Sequence, residues 1–191
     1  MKGIIIYSSK TDNTKRMAEK IYEALKDEYE MTIKNIRDSP DIESYDFVLL
    51  GGWVDRGTLE AKSLKYLENI KNKKLGLFAT LGAMPDSEHG RKVIKNLEGL
   101  LIGKESLGQY ICPGLVDPKM IEKLKGIKGV IVPKKIKEKM IDTSLKSRKA
   151  TKKELEEAAK YFVENIKHNN WKENLMKNNF LKGKNIKNRF L

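Results

Sequence analysis

Seven consecutive residues near the start of the chain concentrate groups that can bind an anion. They supply four hydroxyls, one amide and one lysine: Ser8, Ser9, Lys10, Thr11, Asp12, Asn13 and Thr14. A short apolar run precedes them and an amphipathic helical pattern follows, so the segment is predicted to lie at a helix N-terminus. Free backbone N–H groups and the positive end of the helix dipole favour a phosphate there. The alternative is a cluster that only caps the helix.

The familiar nucleotide-binding loops do not match this segment. A Walker A loop needs Gly-Lys-Ser/Thr and a dinucleotide-binding loop needs Gly-x-Gly-x-x-Gly, whereas residues 8–14 contain no glycine. A phosphoacceptor receiver needs an acidic pair after the first strand and an aspartate at the end of the third. The third predicted strand ends instead in Leu50, Gly51 and Gly52. The segment therefore predicts a phosphate site of another kind.

Residues 9–14, Ser-Lys-Thr-Asp-Asn-Thr, resemble the phosphate-binding signature of flavodoxins, Thr/Ser-x-Thr-Gly-Asn-Thr. The resemblance implies an FMN cofactor whose phosphate is bound by residues 8–14. The one departure is Asp12, which stands where the family has glycine. It brings a carboxylate close to the phosphate, unless its side chain turns outward or caps the helix. The order Cys112-Pro113-Gly114 is similar to a branch of flavodoxin-like proteins from anaerobic bacteria, in which Cys-x-Gly follows the fifth strand.

The resemblance also implies that the loops after the third and fourth strands hold the flavin ring. Flavodoxins commonly stack an aromatic ring on the flavin from the first of these loops, and the indole of Trp53 has a large polarizable face for that role. The alternative is that Trp53 packs its loop onto the core. The further residues expected to bind FMN are Gly52, Trp53, Val54, Asp55 and Gly57, and then Thr80, Leu81, Gly82, Ala83 and Met84.

The second of these loops has no aromatic residue, although classical flavodoxins place a tyrosine there. Either Leu81 or Met84 covers the second face of the flavin ring, or that face stays open. An open face favours a reductase with a bound substrate over a protein that only carries electrons.

Strand and helix patterns alternate along the chain. Apolar runs predict strands at residues 3–7, 46–52, 75–80 and 107–112, and an alternating segment predicts an edge strand at 29–36. Helical patterns lie between them and at residues 151–168, where Thr151 and Glu154 form a capping box. This order predicts an α/β fold, a doubly wound five-stranded parallel sheet with helices on both faces. The flavodoxin resemblance implies the strand order 2-1-3-4-5.

The chain is expected to form one flavodoxin-like domain over residues 1–168, followed by a basic helical C-terminal extension over residues 169–191. Residues 113–150 form an insertion before the last helix of the domain, with a short helix near Met120 and a lysine-rich connector over residues 133–149. The formal net charge is +13. Residues 133–191 hold 17 Lys and Arg against 7 Asp and Glu, so most of the excess lies in the C-terminal third.

Three functions fit these observations. The first is an FMN protein that transfers electrons between redox partner proteins, where the basic charge favours an acidic partner such as a ferredoxin-like protein or a reductase. The second is an FMN-dependent NAD(P)H oxidoreductase that acts on a quinone or another small molecule. The third is a flavin-free interaction module that uses its basic C-terminal part.

No nucleic-acid motif accompanies the charge, so no nucleic-acid partner is expected. No apolar stretch reaches the roughly 18 to 20 residues of a membrane span, and the first residues lack the pattern of a signal peptide. The only cysteine, Cys112, excludes an internal disulfide and is expected to be a buried small apolar residue. The expected location is the cytoplasm.

Overall fold

The computed structural model describes the backbone of residues 1–71, 73–126 and 133–187, and the side chains of these residues up to residue 172. The strands are β1 Lys2–Tyr7, β2 Glu30–Asn35, β3 Phe47–Asp55, β4 Thr58–Leu59, β5 Lys74–Leu81 and β6 Ser106–Pro113. The helices are α1 Asn13–Leu25, α2 Ala61–Glu68, α3 Glu88–Leu100, α4 Pro118–Gly126, α5 Lys134–Leu145 and α6 Lys152–Lys187. A 3₁₀ turn follows β2 at Ile36–Asp38.

The long strands form one parallel sheet in the order β2-β1-β3-β5-β6. The two-residue strand β4 lies off this path and pairs antiparallel with the end of β3. If β4 is set aside, the order is the predicted 2-1-3-4-5, so the predicted α/β fold and topology are confirmed. Because β1 lies between β2 and β3, the chain leaves β1 and β3 toward opposite sides, which places the switch point of the sheet at their carboxyl ends.

Apolar side chains cover both faces of the sheet. On one face Ile5, Phe47 and Phe78 pack against Met17 of α1 and Phe162 of α6. All five are fully buried. Each such side chain stabilises the fold by roughly 1.5–3 kcal/mol relative to exposure.

On the other face Ile4, Leu50 and Leu77 pack against Leu67 of α2 and Val93 of α3. Burial on two faces explains why β1, β3 and β5 read as continuous apolar runs rather than as alternating ones.

A β-hairpin after β3 was not expected. Strand β3 was predicted to end at Gly52, but it continues to Asp55 and pairs with Thr58 and Leu59. The turn between them consists of Arg56 and Gly57, with φ of 49° and 86°. Positive φ at both residues is the geometry of a tight two-residue hairpin turn.

The lysine-rich segment after residue 133 differs from its prediction as a connector, because residues 134–145 form helix α5. Helix α6 runs without a break through residue 168, where the domain was predicted to end. The division into a domain and an extension stays a prediction. Among the described residues, no helix is long and apolar enough to cross a membrane.

The capping box that was predicted for the last helix is confirmed. The backbone N–H of Thr151 donates to Glu154 Oε2 at 2.7 Å, and the N–H of Glu154 donates to Thr151 Oγ1 at 3.2 Å. The two terminal guanidinium nitrogens of Arg148, Nη1 and Nη2, also donate to this carboxylate, each at 2.7 Å. The hydrogen bonds from Arg148 have the largest effect, and together with those from Thr151 they lower the pKa of Glu154 to about 2. The network fixes the start of α6 beside the end of the insertion.

Candidate functional site

The three segments expected to bind FMN lie side by side at the carboxyl edge of the sheet. The backbone N–H of Ser8 donates to the carbonyl of Gly51 at 2.9 Å, which joins the segment after β1 to β3. The hydroxyls of Thr14 and Thr80 share a hydrogen bond of 2.9 Å, which joins the first turn of α1 to β5. Trp53 pairs in register with Thr80 across β3 and β5. The parallel topology therefore brings residues 8–14, 52–57 and 80–84 to one edge.

The N-terminus of α1 has no side-chain cap. Asp12 occupies the N-cap position but its side chain makes no capping hydrogen bond, and the first turn carries no acidic residue. Helices α2 and α3 differ, because Glu60 and Ser87 accept hydrogen bonds from their first-turn N–H groups. The first N–H groups of any α-helix lack intrahelical acceptors. Those of Asn13, Thr14 and Lys15 are thus available to an external anion, with the positive end of the helix dipole behind them.

Two buried polar atoms at this helix end lack partners. Among the described side chains, only Ser9 Oγ and Asn13 Oδ1 are buried without a hydrogen bond. Burial of an unpaired polar group costs about 1–3 kcal/mol, so such atoms point to an absent ligand group. The hydroxyl of Ser9 can donate to a phosphate oxygen, whereas Asn13 Oδ1 can only accept, which suits a ligand hydroxyl. This donor and acceptor set fits a sugar phosphate or a ribityl phosphate.

The departure from the glycine of the flavodoxin signature has a structural explanation. Asp12 has a φ of 56° and a ψ of 3°, in the left-handed region that glycine adopts without strain. Asp and Asn are several-fold enriched there among the other residues, because their short polar side chains can bond locally. The side chain of Asp12 is exposed and does not cap the helix, so it turns outward. Lys10 is exposed as well.

The loop predicted after the third strand is mostly strand. Trp53, Val54 and Asp55 lie in β3, and only Arg56 and Gly57 form a turn. The N–H of Glu60 donates to the carbonyl of Trp53 at 3.1 Å. Trp53 is half-buried, so part of its indole reaches the surface at the carboxyl edge. The hairpin holds this ring on a rigid platform rather than on a mobile loop.

The third segment offers one side chain that can cover a ring. Thr80 and Leu81 end β5 and are buried, and Leu81 packs in the core beside the α2 and α3 helices. Leu81 is thereby removed as a candidate cover. Gly82 and Ala83 are partly exposed, and the side chain of Met84 is 40% exposed. Met84 is left as the candidate in this segment.

A segment that was not predicted from the sequence crosses this edge. Residues 114–116, here called the strap, follow β6 and contact the first and third segments. The N–H of Gly114 donates to the carbonyl of Leu81 at 2.7 Å, and Asn13 Nδ2 donates to the carbonyl of Leu115 at 2.9 Å. A Cβ on Gly82 would lie 2.4 Å from Val116 Cγ2, so the glycine is needed for the strap to approach.

Backbone contacts of this kind leave little trace in a sequence. The signal that could have found the strap is the pair of glycines, Gly82 and Gly114, each placed directly after a buried strand.

Cys112 lies beside the strap and is buried, as expected. Desolvation, followed by the nearby charges of Glu154 and Glu157, raises the pKa of its thiol to about 12. The thiol is therefore protonated and unreactive at neutral pH.

Comparison with known proteins agrees with this geometry. The model of the flavodoxin domain family matches residues 4–181. The flavodoxin-like domain-containing protein BilS of Clostridioides difficile (strain CD3) is 40% identical over 121 residues, which are 61% of this chain and 68% of BilS.

Two solved structures support the fold alone. A flavodoxin of Streptococcus pneumoniae TIGR4 aligns over 88% of this chain and 99% of its own, with a TM-score of 0.55 and 13% identity. Oxidised Flavodoxin 2 from Bacillus cereus aligns over 86% of this chain and 99% of its own, with a TM-score of 0.51 and 19% identity.

The strand order and the edge built by β1, β3 and β5 define a doubly wound α/β protein of the flavodoxin-like fold class. The chain belongs to the flavodoxin family. The prediction of FMN as the cofactor is confirmed at the level of this family, and the unpartnered atoms of Ser9 and Asn13 fit that cofactor.

The conformation of Asp12 leads to a test by substitution. Asp12→Ala is expected to lower the free energy of unfolding by about 1 kcal/mol, because left-handed backbone costs alanine more than it costs aspartate or glycine. Asp12→Gly should change it by less than about 0.5 kcal/mol, because glycine adopts this φ freely but gains entropy in the unfolded chain. Urea denaturation followed by circular dichroism measures both values.

Lys10→Ala is the matched control, since Lys10 is an exposed neighbour without a positive φ, and it should leave the stability unchanged. Equal stability of the Asp12→Ala and Asp12→Gly variants would show that the backbone at this position is not strained.

Proposed function

We propose that this protein carries electrons on an FMN bound at the carboxyl edge of β1, β3 and β5. The phosphate of FMN lies against the first turn of α1, and the flavin ring lies between Trp53 and the segment that ends in Met84. Bound FMN supplies the redox chemistry, because its ring can accept and release one or two electrons. The protein supplies binding, orientation and the electrostatic environment.

Each part of the edge has a separate task in this proposal. The N–H groups of Asn13, Thr14 and Lys15 and the hydroxyls of Ser9 and Thr11 hold the phosphate. The indole of Trp53 supports one face of the ring by stacking. Gly82 makes room for Val116, so the strap packs on the segment after β5 at this edge.

The observation that carries the proposal is the pairing of an uncapped helix with an unpartnered buried hydroxyl. Helix α1 leaves its first N–H groups without side-chain acceptors, and Ser9 Oγ is buried beside them without a partner. A doubly charged phosphate satisfies both at once. Riboflavin, which lacks the phosphate, satisfies neither.

Removal of the two hydroxyls assigned to the phosphate tests this assignment; Ser9 Oγ has no partner, and Thr11 Oγ1 accepts from Asn13 Nδ2 at 2.7 Å but can still donate its own proton. Ser9→Ala combined with Thr11→Val should weaken FMN binding by about 100-fold, because each hydrogen bond to a charged group contributes about 1.5 kcal/mol or more. Riboflavin affinity should change less than about threefold, since the ring contacts remain. Titration of the apoprotein by quenching of flavin fluorescence measures both affinities. Equal losses for FMN and riboflavin would contradict the phosphate assignment.

The negative charge of the cleft beside Met84 favours an electron carrier over an NAD(P)H oxidoreductase. A cleft of about 270 Å³ opens there, and its lining includes the carboxylates of Asp86, Glu154 and Glu157. Only Glu154 has a cationic partner among the described residues, Arg148. NAD(P)H carries a negatively charged diphosphate, which these carboxylates repel.

A turnover measurement separates the two functions. The FMN-loaded protein should oxidise NADH and NADPH at a negligible rate, and should exchange electrons rapidly once a separate NADPH-dependent flavodoxin reductase is added. Absorbance at 340 nm follows the first reaction and flavin absorbance follows the second. Sustained NAD(P)H oxidation without the reductase, increased by an added quinone, would favour the oxidoreductase.

The flavin-free alternative loses its main support. It rested on Asp12 in place of glycine, and the outward-turned, left-handed Asp12 leaves the first turn of α1 open. We place the protein in the cytoplasm, with redox proteins rather than nucleic acids as its partners.

A further inference from the structure

Helices α4 and α5 form a unit that stands on the cofactor edge. They pack against each other, and Lys137 Nζ donates to the carbonyl of Lys125 at 2.9 Å. No residue of α5 is buried, and in α4 only Leu124 is buried. This α4–α5 pair is therefore supported mainly by its own contact and by the segments at its two ends.

Both ends of the α4–α5 pair are fixed beside the proposed FMN site. The N–H of Val116, two residues before α4, donates to Oγ of Ser147, two residues after α5, at 3.0 Å. The same Val116 packs on Gly82, and the neighbouring carbonyl of Leu115 accepts from Asn13. A protein that docks on the α4–α5 pair is therefore brought to the edge that holds the ring.

The α4–α5 pair presents apolar side chains that nothing covers. Met120 of α4 is 42% exposed, and Ile136, Met140 and Leu145 of α5 are 53%, 43% and 62% exposed. Among the described residues, nine large hydrophobic residues are at least 39% exposed. Five of them lie in the pair or in the strap that leads into it: Leu115, Met120, Ile136, Met140 and Leu145. A concentration of this kind marks an interaction surface, and methionine is enriched at such surfaces.

Lysines surround the apolar side chains. The two helices carry seven lysines against three acidic residues. The two acidic residues of α5 pair with Lys134 and Lys146. Lys135 and Lys139, one turn apart and flanking Ile136 and Met140, are exposed and have no ion-pair partner among the described residues. The surface is apolar at its centre and positive at its margin.

We infer that the α4–α5 pair is the docking surface for an acidic electron-transfer protein, which exchanges electrons with FMN at the adjacent edge. The inference rests on the proposed function. Charge complementarity selects the partner, because an acidic protein is attracted by the unpaired lysines while the exposed apolar side chains contact it. Nucleic acid matches the lysines but not the apolar side chains, and an anionic lipid surface matches both but gives no reason for their position beside the proposed FMN site.

Electron transfer from a reduced, acidic [4Fe–4S] ferredoxin tests this surface. In each transfer the iron–sulfur cluster loses one electron and FMN gains it, so full reduction of FMN takes two transfers and two protons from solvent. Stopped-flow absorbance measures the second-order rate constant with the FMN-loaded full chain at increasing salt. The rate constant should fall as salt rises, because surface charges are screened beyond about 10 Å at 0.1 M.

Charge reversal on α5 should remove most of the attraction. Lys135→Glu with Lys139→Glu should lower the rate constant about tenfold at low salt, and the difference should vanish at high salt. The neutral pair Lys135→Gln with Lys139→Gln should give an intermediate loss. Lys71→Glu with Lys95→Glu is the matched control, because both lysines are exposed, unpaired among the described residues and outside the α4–α5 pair.

FMN affinity of every variant is measured first, so the two proposals fail in different ways. Failure of the wild-type protein to bind FMN contradicts the proposed function. Normal FMN binding with equal rate constants for the α5 and control variants contradicts the docking surface. A rate constant that does not fall with salt also contradicts the docking surface. A stable dimer of this chain that dissociates into monomers on Met140→Ser contradicts it as well, because the surface would then be a dimer interface.

Discussion

The structure depends on one electrostatic constraint: helix α1 begins with its first N–H groups unsatisfied by any side chain of the described residues. Helices α2, α3 and α6 close the same gap with Glu60, Ser87 and the Thr151–Glu154 box, whereas α5 begins at Pro133 without a side-chain cap. At α1 the cap residue turns its carboxylate away and leaves the helix end open. Because β1 lies at the switch point of the sheet, this open end faces the same edge as Trp53 and Met84. The position of α1 thus decides where an anion, and the ring attached to it, can lie.

The edge combines parts of unequal rigidity. Trp53 lies in β3, close to the hairpin that β3 forms with β4, and its carbonyl accepts from the N–H of Glu60. The indole therefore stands on hydrogen-bonded backbone. The strap is held by a backbone bond from Gly114 to Leu81 and by bonds to two side chains, Asn13 Nδ2 and Ser147 Oγ. Oδ1 of Asn13 has no partner. Asn13 therefore belongs to both the phosphate site and the strap, and through Val116 and Ser147 it is connected with the α4–α5 pair. The proposed phosphate site and the proposed docking surface are therefore connected through this residue.

The sequence predicted the elements that local pattern determines. Continuous apolar runs identified the buried strands, and Ser9 to Thr14 identified the open helix end, because period and residue type carry this information over short distances. The hairpin was missed because β4 has two residues and its turn is Arg-Gly rather than the usual Asn-Gly. Helix α5 was taken for a connector because its lysines hid the spacing of Ile136, Met140 and Ile141. The strap rests on contacts between residues far apart in the chain, such as Asn13 and Leu115, which one sequence does not reveal.

The most direct measurement is an NMR titration of the nitrogen-15-labelled apoprotein with FMN and, separately, with riboflavin. FMN is expected to shift the backbone amide signals of Asn13, Thr14 and Lys15, and riboflavin is expected to leave them unchanged. The indole N–H of Trp53 should shift with both ligands. The indole of Trp171, exposed on α6, should shift with neither. Identical shifts of the three α1 amides with FMN and riboflavin, or none with either, would contradict the assignment of the phosphate to this helix end.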